Sequence, residues 1–427
     1  MNFFEQAKHA LREQFAQFSQ LAKSGEIFCL QTPLASDLNL LAWLNGNARY
    51  PQAYLHFRDE DRAFAALGAV EIFQDLNAAQ AFVSQTDFPL IGGVQFNGAA
   101  QFILPQALIS AQGKTREISL FVSKESDLET LLSEIFENST ALFAQIAPPA
   151  KQQIAAITPQ ANQQTWASWI NRALNAIKTQ KLSKIVLANE TSFALTAPLG
   201  AKALLAQSER ENQGCYHFLW AENAQSQFIG STPERLFLVE NQQFTTEALA
   251  GTAPVGKTAQ ETAKFSQWLV NDPKNLAENW LVVEDISNNI NDLIENLQVG
   301  DVAIKPLRKV QHLVRKITGN LRVPNLSYAA LLRAIHPTAA VSGLPQQIAR
   351  DEICQIETFE RSWYAGALGV LQKHRAEFCV AIRSAFVEEM RVRVFAGAGI
   401  VAGSNALDEW QEIERKAAGL VSLFAHH

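Results

Sequence analysis

Lys184 lies in the run Lys184-Ile185-Val186-Leu187-Ala188, whose β-branched composition predicts a strand buried on at least one face. A lysine there can snorkel its head to solvent, the commoner outcome for an isolated strand lysine. If it stays desolvated, burial lowers the ammonium pKa and leaves an amine able to take a proton from water. Glu234, in Gly230-Ser231-Thr232-Pro233-Glu234-Arg235, sits in a turn between two apolar runs, after a proline that pre-sets the backbone. Held near apolar groups, its carboxyl would stay protonated and act as a general acid; at a surface turn it would simply pair with Arg235.

A second set of carboxylates suggests a hard-cation site. Glu278 falls in the first turns of a helix opened by Asp272-Pro273, and Glu409, Glu412 and Lys416 share one face of the final helix at i, i+3 and i+7. Carboxylates from two helices meeting over a cavity are the oxygen ligands Mg²⁺ takes, with water and substrate completing the octahedron. Two solvated acidic helix faces would give the same pattern. Gly397 to Gly403 predicts a glycine-rich turn that could bring backbone N–H groups to an anion, and Gly251-Thr252 predicts a second. Arg383 ends an apolar strand, where its fork could hold a carboxylate. His336, in His336-Pro337-Thr338, is equally readable as a polar site or a satisfied core histidine.

The elements that must position these groups follow from periodicity. Residues 2–24 carry Phe4, Ala7, Leu11, Phe15, Phe18 and Ala22 at helical spacing, with Gly25 where a C-cap glycine belongs. From Ile27 to about Leu142, short runs such as Phe102-Ile103-Leu104 are punctuated by Gly and Pro, which predicts strands joined by turns with occasional helices. The proline- and glutamine-containing stretch Ile146 to Gln164 reads as a connector, dividing residues 1–150 from 151–427. Beyond it come a helix from Trp166 to Thr179, strands over Phe228–Ile229 and Leu236–Val239, and the long helix after Asp272. Strands over Phe378–Arg383 and Val392–Phe395 follow, then a final helix over Ala406–Phe424, with Asn405 and Asp408 spaced like a capping box. The mixture predicts an α+β fold.

Composition narrows the partners. A chain of 427 residues that is 48% hydrophobic can bury a large core. A net charge of -6 without long runs of one sign predicts neither a nucleic-acid nor an anionic-membrane surface, so the expected partners are small molecules. Cys29, Cys215, Cys354 and Cys379 are scattered without a CxxC pair, and His217 alone does not complete a zinc site, so a reduced cytoplasmic setting is expected. The first residues lack the basic patch and apolar run of a signal peptide, and no stretch has the length of a membrane span.

Taken together, and in order, the segments Lys184-Ile-Val-Leu-Ala, Gly230-Ser-Thr-Pro-Glu-Arg, Ala250-Gly-Thr, Lys274-Asn-Leu-Ala-Glu-Asn, His336-Pro-Thr-Ala-Ala-Val-Ser-Gly, Tyr364-Ala-Gly-Ala-Leu-Gly, Ala381-Ile-Arg-Ser-Ala, Phe395-Ala-Gly-Ala-Gly-Ile-Val-Ala-Gly-Ser and Glu409-Trp-Gln-Glu resemble the chorismate-utilising enzymes. That family comprises isochorismate, salicylate, anthranilate and aminodeoxychorismate synthases. The resemblance runs from about Trp166 to the carboxyl end. It implies a single large domain in which β-sheets pack face to face with helices outside. It implies Mg²⁺ held by Glu278 and Glu412, directly or through water, with Glu409 supporting. It also implies substrate carboxylates held by Gly251, Thr252, Arg383, Gly399 and Lys416, with His336 at the site.

Within the family, lysine at position 184 goes with water as the nucleophile, whereas anthranilate synthases, which use ammonia, carry another residue. Ala250 stands where aminodeoxychorismate synthases place a lysine that attacks the ring. No glutamine amidotransferase segment is fused, and no obligatory subunit of that kind is expected. The stretches Leu41-Ala-Trp-Leu-Asn-Gly and Tyr50-Pro-Gln-Ala-Tyr-Leu-His-Phe-Arg58 are similar to the menaquinone-branch isochorismate synthases. The expected activity is therefore a reversible, Mg²⁺-dependent isomerisation of chorismate by water attack at C2 and loss of the C4 hydroxyl. The alternatives are a salicylate synthase, which adds pyruvate elimination, and a catalytically silent chorismate-binding protein.

Overall fold

The computed structural model describes residues 3–136, 143, 145–324 and 326–426. The expected helix start at Asn2 and the expected limit of the strand-rich stretch at Leu142 lie outside the described residues.

The strand Tyr216–Ala221 is buried at every position, which requires cover on both faces. Phe218 and Trp220 point into one apolar core, while Leu219 and Ala221 point into another, as the two-residue period of a strand demands. The same alternation places Leu55 in the first core and Tyr54 in the second. The sheet that contains these strands has 12 strands, and a second sheet of 10 strands packs across the first core. Helices, among them Phe3–Leu21, Leu128–Ile135 and Ala201–Glu211, cover the outer core. This is the α+β sandwich the resemblance implied.

Both sheets cross the division near residue 150. Gln52–His56 pairs with Tyr216–Ala221 in the larger sheet, and Leu90–Val94 pairs with Ala367–Gln372 in the smaller. The expected connector contains a strand, Ile154–Pro159, paired antiparallel with the long strand Lys184–Leu195. Its run Ile154-Ala155-Ala156-Ile157 is apolar though mostly exposed, and the surrounding prolines and glutamines made it read as connector.

Four corrections concern the site. Arg383 does not end a strand: the strand stops at Val380, and Arg383, with φ 54°, lies in the link before the strand Ser384–Glu388. Gly397 and Gly399 do not lie in a turn: the strand runs over Arg391–Ile400, with Gly399 opposite Val186 and Gly397 opposite Ala188. The register explains why glycine reads as a turn yet serves as strand, since a Cβ on Gly399 would lie 2.3 Å from Glu278 Oε1 and one on Gly397 would lie 2.9 Å from the Tyr364 hydroxyl. Gly251 likewise lies within the strand Gln243–Pro254, at a break in register between Leu249 and Thr252, where its φ of 86° marks a bulge. Asn405 caps the last helix by accepting from the amides of Leu407 and Asp408, without the reciprocal bond of a capping box. That helix spans Ala406–Phe424, as expected.

Candidate active site

A cavity opens where the two sheets meet the last helix. Its lining includes Glu234, Gly251, Thr252, Glu278, His312, Tyr364, Arg383, Gly399, Glu412 and Lys416. Each wall has a distinct origin. The strand Gln227–Thr232 belongs to the larger sheet and Arg235–Glu240 to the smaller, so Pro233 and Glu234 form the corner between sheets. Asp272 caps the helix Pro273–Ile290 through the Asn275 amide, and Glu278 projects from its second turn. Asn279, fully buried on the same helix, donates to the carbonyls of Ala248 and Ala250, which fastens the helix to the bulge at Gly251.

Lys184 is 1% exposed, and its Nζ lies 3.1 Å from Glu278 Oε1. A buried lysine without a carboxylate would pay the full cost of desolvation, so this contact is what keeps it inside. Glu234 is buried, and its carboxyl is pushed up to about 8 by burial and then by Glu247, against the opposing pull of Lys184, Lys305 and Lys416. It is therefore a carboxylic acid at neutral pH.

The two helix carboxylates Glu278 and Glu412 face the same cavity. Lys416 Nζ is 2.5 Å from Glu412 Oε1 and 2.8 Å from the Gly397 carbonyl. Burial alone would raise the Glu412 carboxyl, but Lys416 and the Thr252 hydroxyl hold it below its ordinary value. Glu409, one turn earlier, is outside the lining, bonded to Lys274 at 3.0 Å, and raised to about 7 by burial and by Glu412. Among the described residues no three His, Cys, Asp or Glu side chains form a closed ligand cluster. Two hard carboxylates on a cradle that a Cβ at Gly399 would fill suit an ion such as Mg²⁺, which keeps most of its waters.

His312 is a cavity residue that the sequence did not single out. Its Nε2 lies 2.9 Å from Arg383 Nη2 and its Nδ1 lies 3.1 Å from Thr252 Oγ1. Guanidinium only donates, so Nε2 accepts and Nδ1 carries the proton. Burial and the Arg383 charge hold the ring well below its ordinary pKa, which keeps it neutral. His312 lies in the strand Val310–Leu321, opposite Thr252, among other polar residues such as Gln311, Arg315 and Lys316, so its type alone carried no signal. Tyr364 stood in a recognised segment without an assigned role.

His336 is not in the lining. It is buried, with Nε2 3.2 Å from the Gln95 carbonyl and Nδ1 unpartnered among the described residues. The Thr252 amide is committed to Asn275 Oδ1 at 3.1 Å, so Thr252 offers the cavity its hydroxyl rather than its N–H.

Comparison with known proteins places this geometry in a family. The chorismate binding enzyme profile matches residues 94–425. The chain is 54% identical to isochorismate synthase MenF of Haemophilus influenzae, over 100% of this chain and 98% of that protein. It is 45% identical to the isochorismate synthase MenF of Pasteurella multocida, over 95% and 94% respectively. The solved structure of MenF, the menaquinone-specific isochorismate synthase from Escherichia coli, superposes with a TM-score of 0.87 at 34% identity, covering 98% of this chain and 99% of that one. With a profile match across most of its length and relatives aligned end to end, the chain belongs to the chorismate-binding enzymes, in their isochorismate synthase branch.

Proposed function

We propose that this protein converts chorismate reversibly to isochorismate, with Mg²⁺, in the supply of menaquinone biosynthesis. The observation that carries the reading is a single cavity lined by a protonated Glu234, by Glu278 and by the cations Arg383 and Lys416, with buried Lys184 behind its wall, 3.1 Å from Glu278. Lys184 accepts a proton from a water whose oxygen bonds to C2 of the ring. Both conjugated ring double bonds shift, C1=C2 to C1=C6 and C5=C6 to C4=C5, the C4–O bond breaks, and Glu234 delivers its proton to the departing hydroxyl, which leaves as water. The proton gained by Lys184 and lost by Glu234 is returned through solvent, so atoms and charge balance over a cycle.

Two carboxylates on the substrate call for positive charge at two places. Arg383 and Lys416, with the strand backbone at Gly399, suit the enolpyruvyl carboxylate. The bulge at Gly251 and Thr252 suits the ring carboxylate. Glu278 and Glu412, with Glu409 behind them, would hold a Mg²⁺, which would supply further positive charge toward a substrate carboxylate. His336, outside the lining, keeps no direct substrate contact in this account. The catalytic groups all come from the region 151–427, and the protein acts without a glutamine amidotransferase subunit, as a cytoplasmic enzyme on a small molecule.

Salicylate synthase is the second reading, because the same base and acid serve it. Purified protein incubated with chorismate, with Mg²⁺ or with EDTA, and resolved by chromatography separates the two. Metal-dependent isochorismate is expected. Salicylate with pyruvate would move the assignment to the second reading, and no turnover by folded protein would favour a silent binding protein.

A further inference from the structure

Arg58 closes an amino-terminal motif to which the proposed chemistry gives no role. It follows the strand Gln52–His56 and reaches the corner between the sheets, where its guanidinium donates to the Pro233 carbonyl. The same guanidinium forms a two-pronged pair with Glu247, Nη1 to Oε1 at 2.6 Å and Nη2 to Oε2 at 2.7 Å. Glu247 in turn accepts from the Arg235 amide at 3.0 Å. Both side chains are buried.

The geometry has a simple consequence. The Pro233 carbonyl belongs to the peptide plane before Glu234, and the Arg235 N–H belongs to the plane after it. Two planar peptides leave only φ and ψ of Glu234 to aim its side chain. We propose that Arg58 and Glu247 are a positioning pair for the Glu234 carboxyl, one member holding each flanking peptide, so that the amino-terminal region takes part in the chemistry. The inference rests on Glu234 being the acid of the proposed reaction.

The pair also bears on charge. Glu234 is faced by Glu247, Lys184, Lys305 and Lys416, and by Arg383 and Tyr364 across the cavity. Of these, Glu247 is the anion, and Arg58 with Lys305, 3.6 Å away, keeps it ionised despite burial. Glu247 therefore opposes ionisation of Glu234, in addition to fixing its backbone.

A bond network that merely held the fold together would change stability and leave the catalytic parameters of the surviving folded enzyme alone. The test is steady-state kinetics of folded wild type, Glu247→Gln and Arg58→Lys, across pH. Glu247→Gln is expected to lower kcat roughly 10- to 100-fold, the scale of a misplaced reacting group. Its KM for chorismate should stay within about three-fold, because no substrate contact is removed. Its alkaline limb should move to lower pH, since the opposing anion is gone. Arg58→Lys keeps the charge but cannot span both partners, so kcat should fall with the limb in place. Wild-type kcat in both variants, losses confined to KM, or an unmoved limb in Glu247→Gln overturns the proposal. If Glu247→Gln does not fold, Arg58→Lys decides alone, by a loss in kcat at constant KM. Wild type that makes no isochorismate would sink the functional reading instead. The pair is then judged by carbon-13 titration of Glu234, assigned by its loss in Glu234→Gln: the titration moves to lower pH in Glu247→Gln, or to higher pH in Arg58→Met if Glu247→Gln cannot be prepared, because the anion then loses its main counter-charge, and an unmoved curve overturns it.

Discussion

Glu234 and Lys184 are each a group that the interior of a protein ordinarily excludes, and each is tolerated for a stated reason. Glu234 avoids the cost by staying protonated, its carboxyl raised to about 8. The sign of the pH effect follows. In its proposed role as the acid for C4–O cleavage, Glu234 is competent below about 8, and the rate of isochorismate formation should fall as pH rises through that value. A rate that climbed steadily through the same range in a pH profile of kcat would contradict this assignment. Lys184→Gln should lower turnover by about 10²- to 10⁴-fold, the usual contribution of a general base, while chorismate still binds by calorimetry. These two residues were legible because they stand in short collinear segments. His312 and Arg58 were not, because their meaning lies in partners far along the chain: Thr252 is 60 positions from His312, and Glu247 is 189 from Arg58.

At the scale of elements, glycine was the signal most easily misread. Gly397 and Gly399 suggest a loop by composition, yet they are strand residues whose missing side chains make room for Tyr364 and Glu278. Gly399→Ala should therefore force Glu278 aside. Its kcat/KM should fall by about 100-fold or more at limiting Mg²⁺ in steady-state kinetics, the penalty of a displaced reacting geometry. Helix placement was far more legible, since Asp272-Pro273 and Asn405 mark helix starts with residues that cap amides. The buried staple from Asn279 to Ala248 and Ala250 was not, because its acceptors are backbone carbonyls of a bulge. Asn279→Ala should destabilise the protein by about 1–3 kcal/mol in urea unfolding, the cost of orphaned buried acceptors.

The whole molecule is a site built at a seam. Neither sheet alone contains the cavity: Val186 and Gly399 come from the larger sheet, Gly251 and His312 from the smaller, and Glu234 from the corner that joins them. Sequence periodicity reports that a strand is buried, and not which strand lies beside it. The pairing of Gln52–His56 with Tyr216–Ala221 could therefore not be read from either run. The fold class and the ordered catalytic segments were visible nonetheless, because they depend on local pattern and on order along the chain. The most direct test of the account is the reaction run in ¹⁸O-water with Mg²⁺, stopped early, and the product analysed by mass spectrometry. The account predicts isochorismate with one solvent-derived oxygen at C2. Unlabelled isochorismate would contradict water attack assisted by Lys184, and a different product would contradict the function itself.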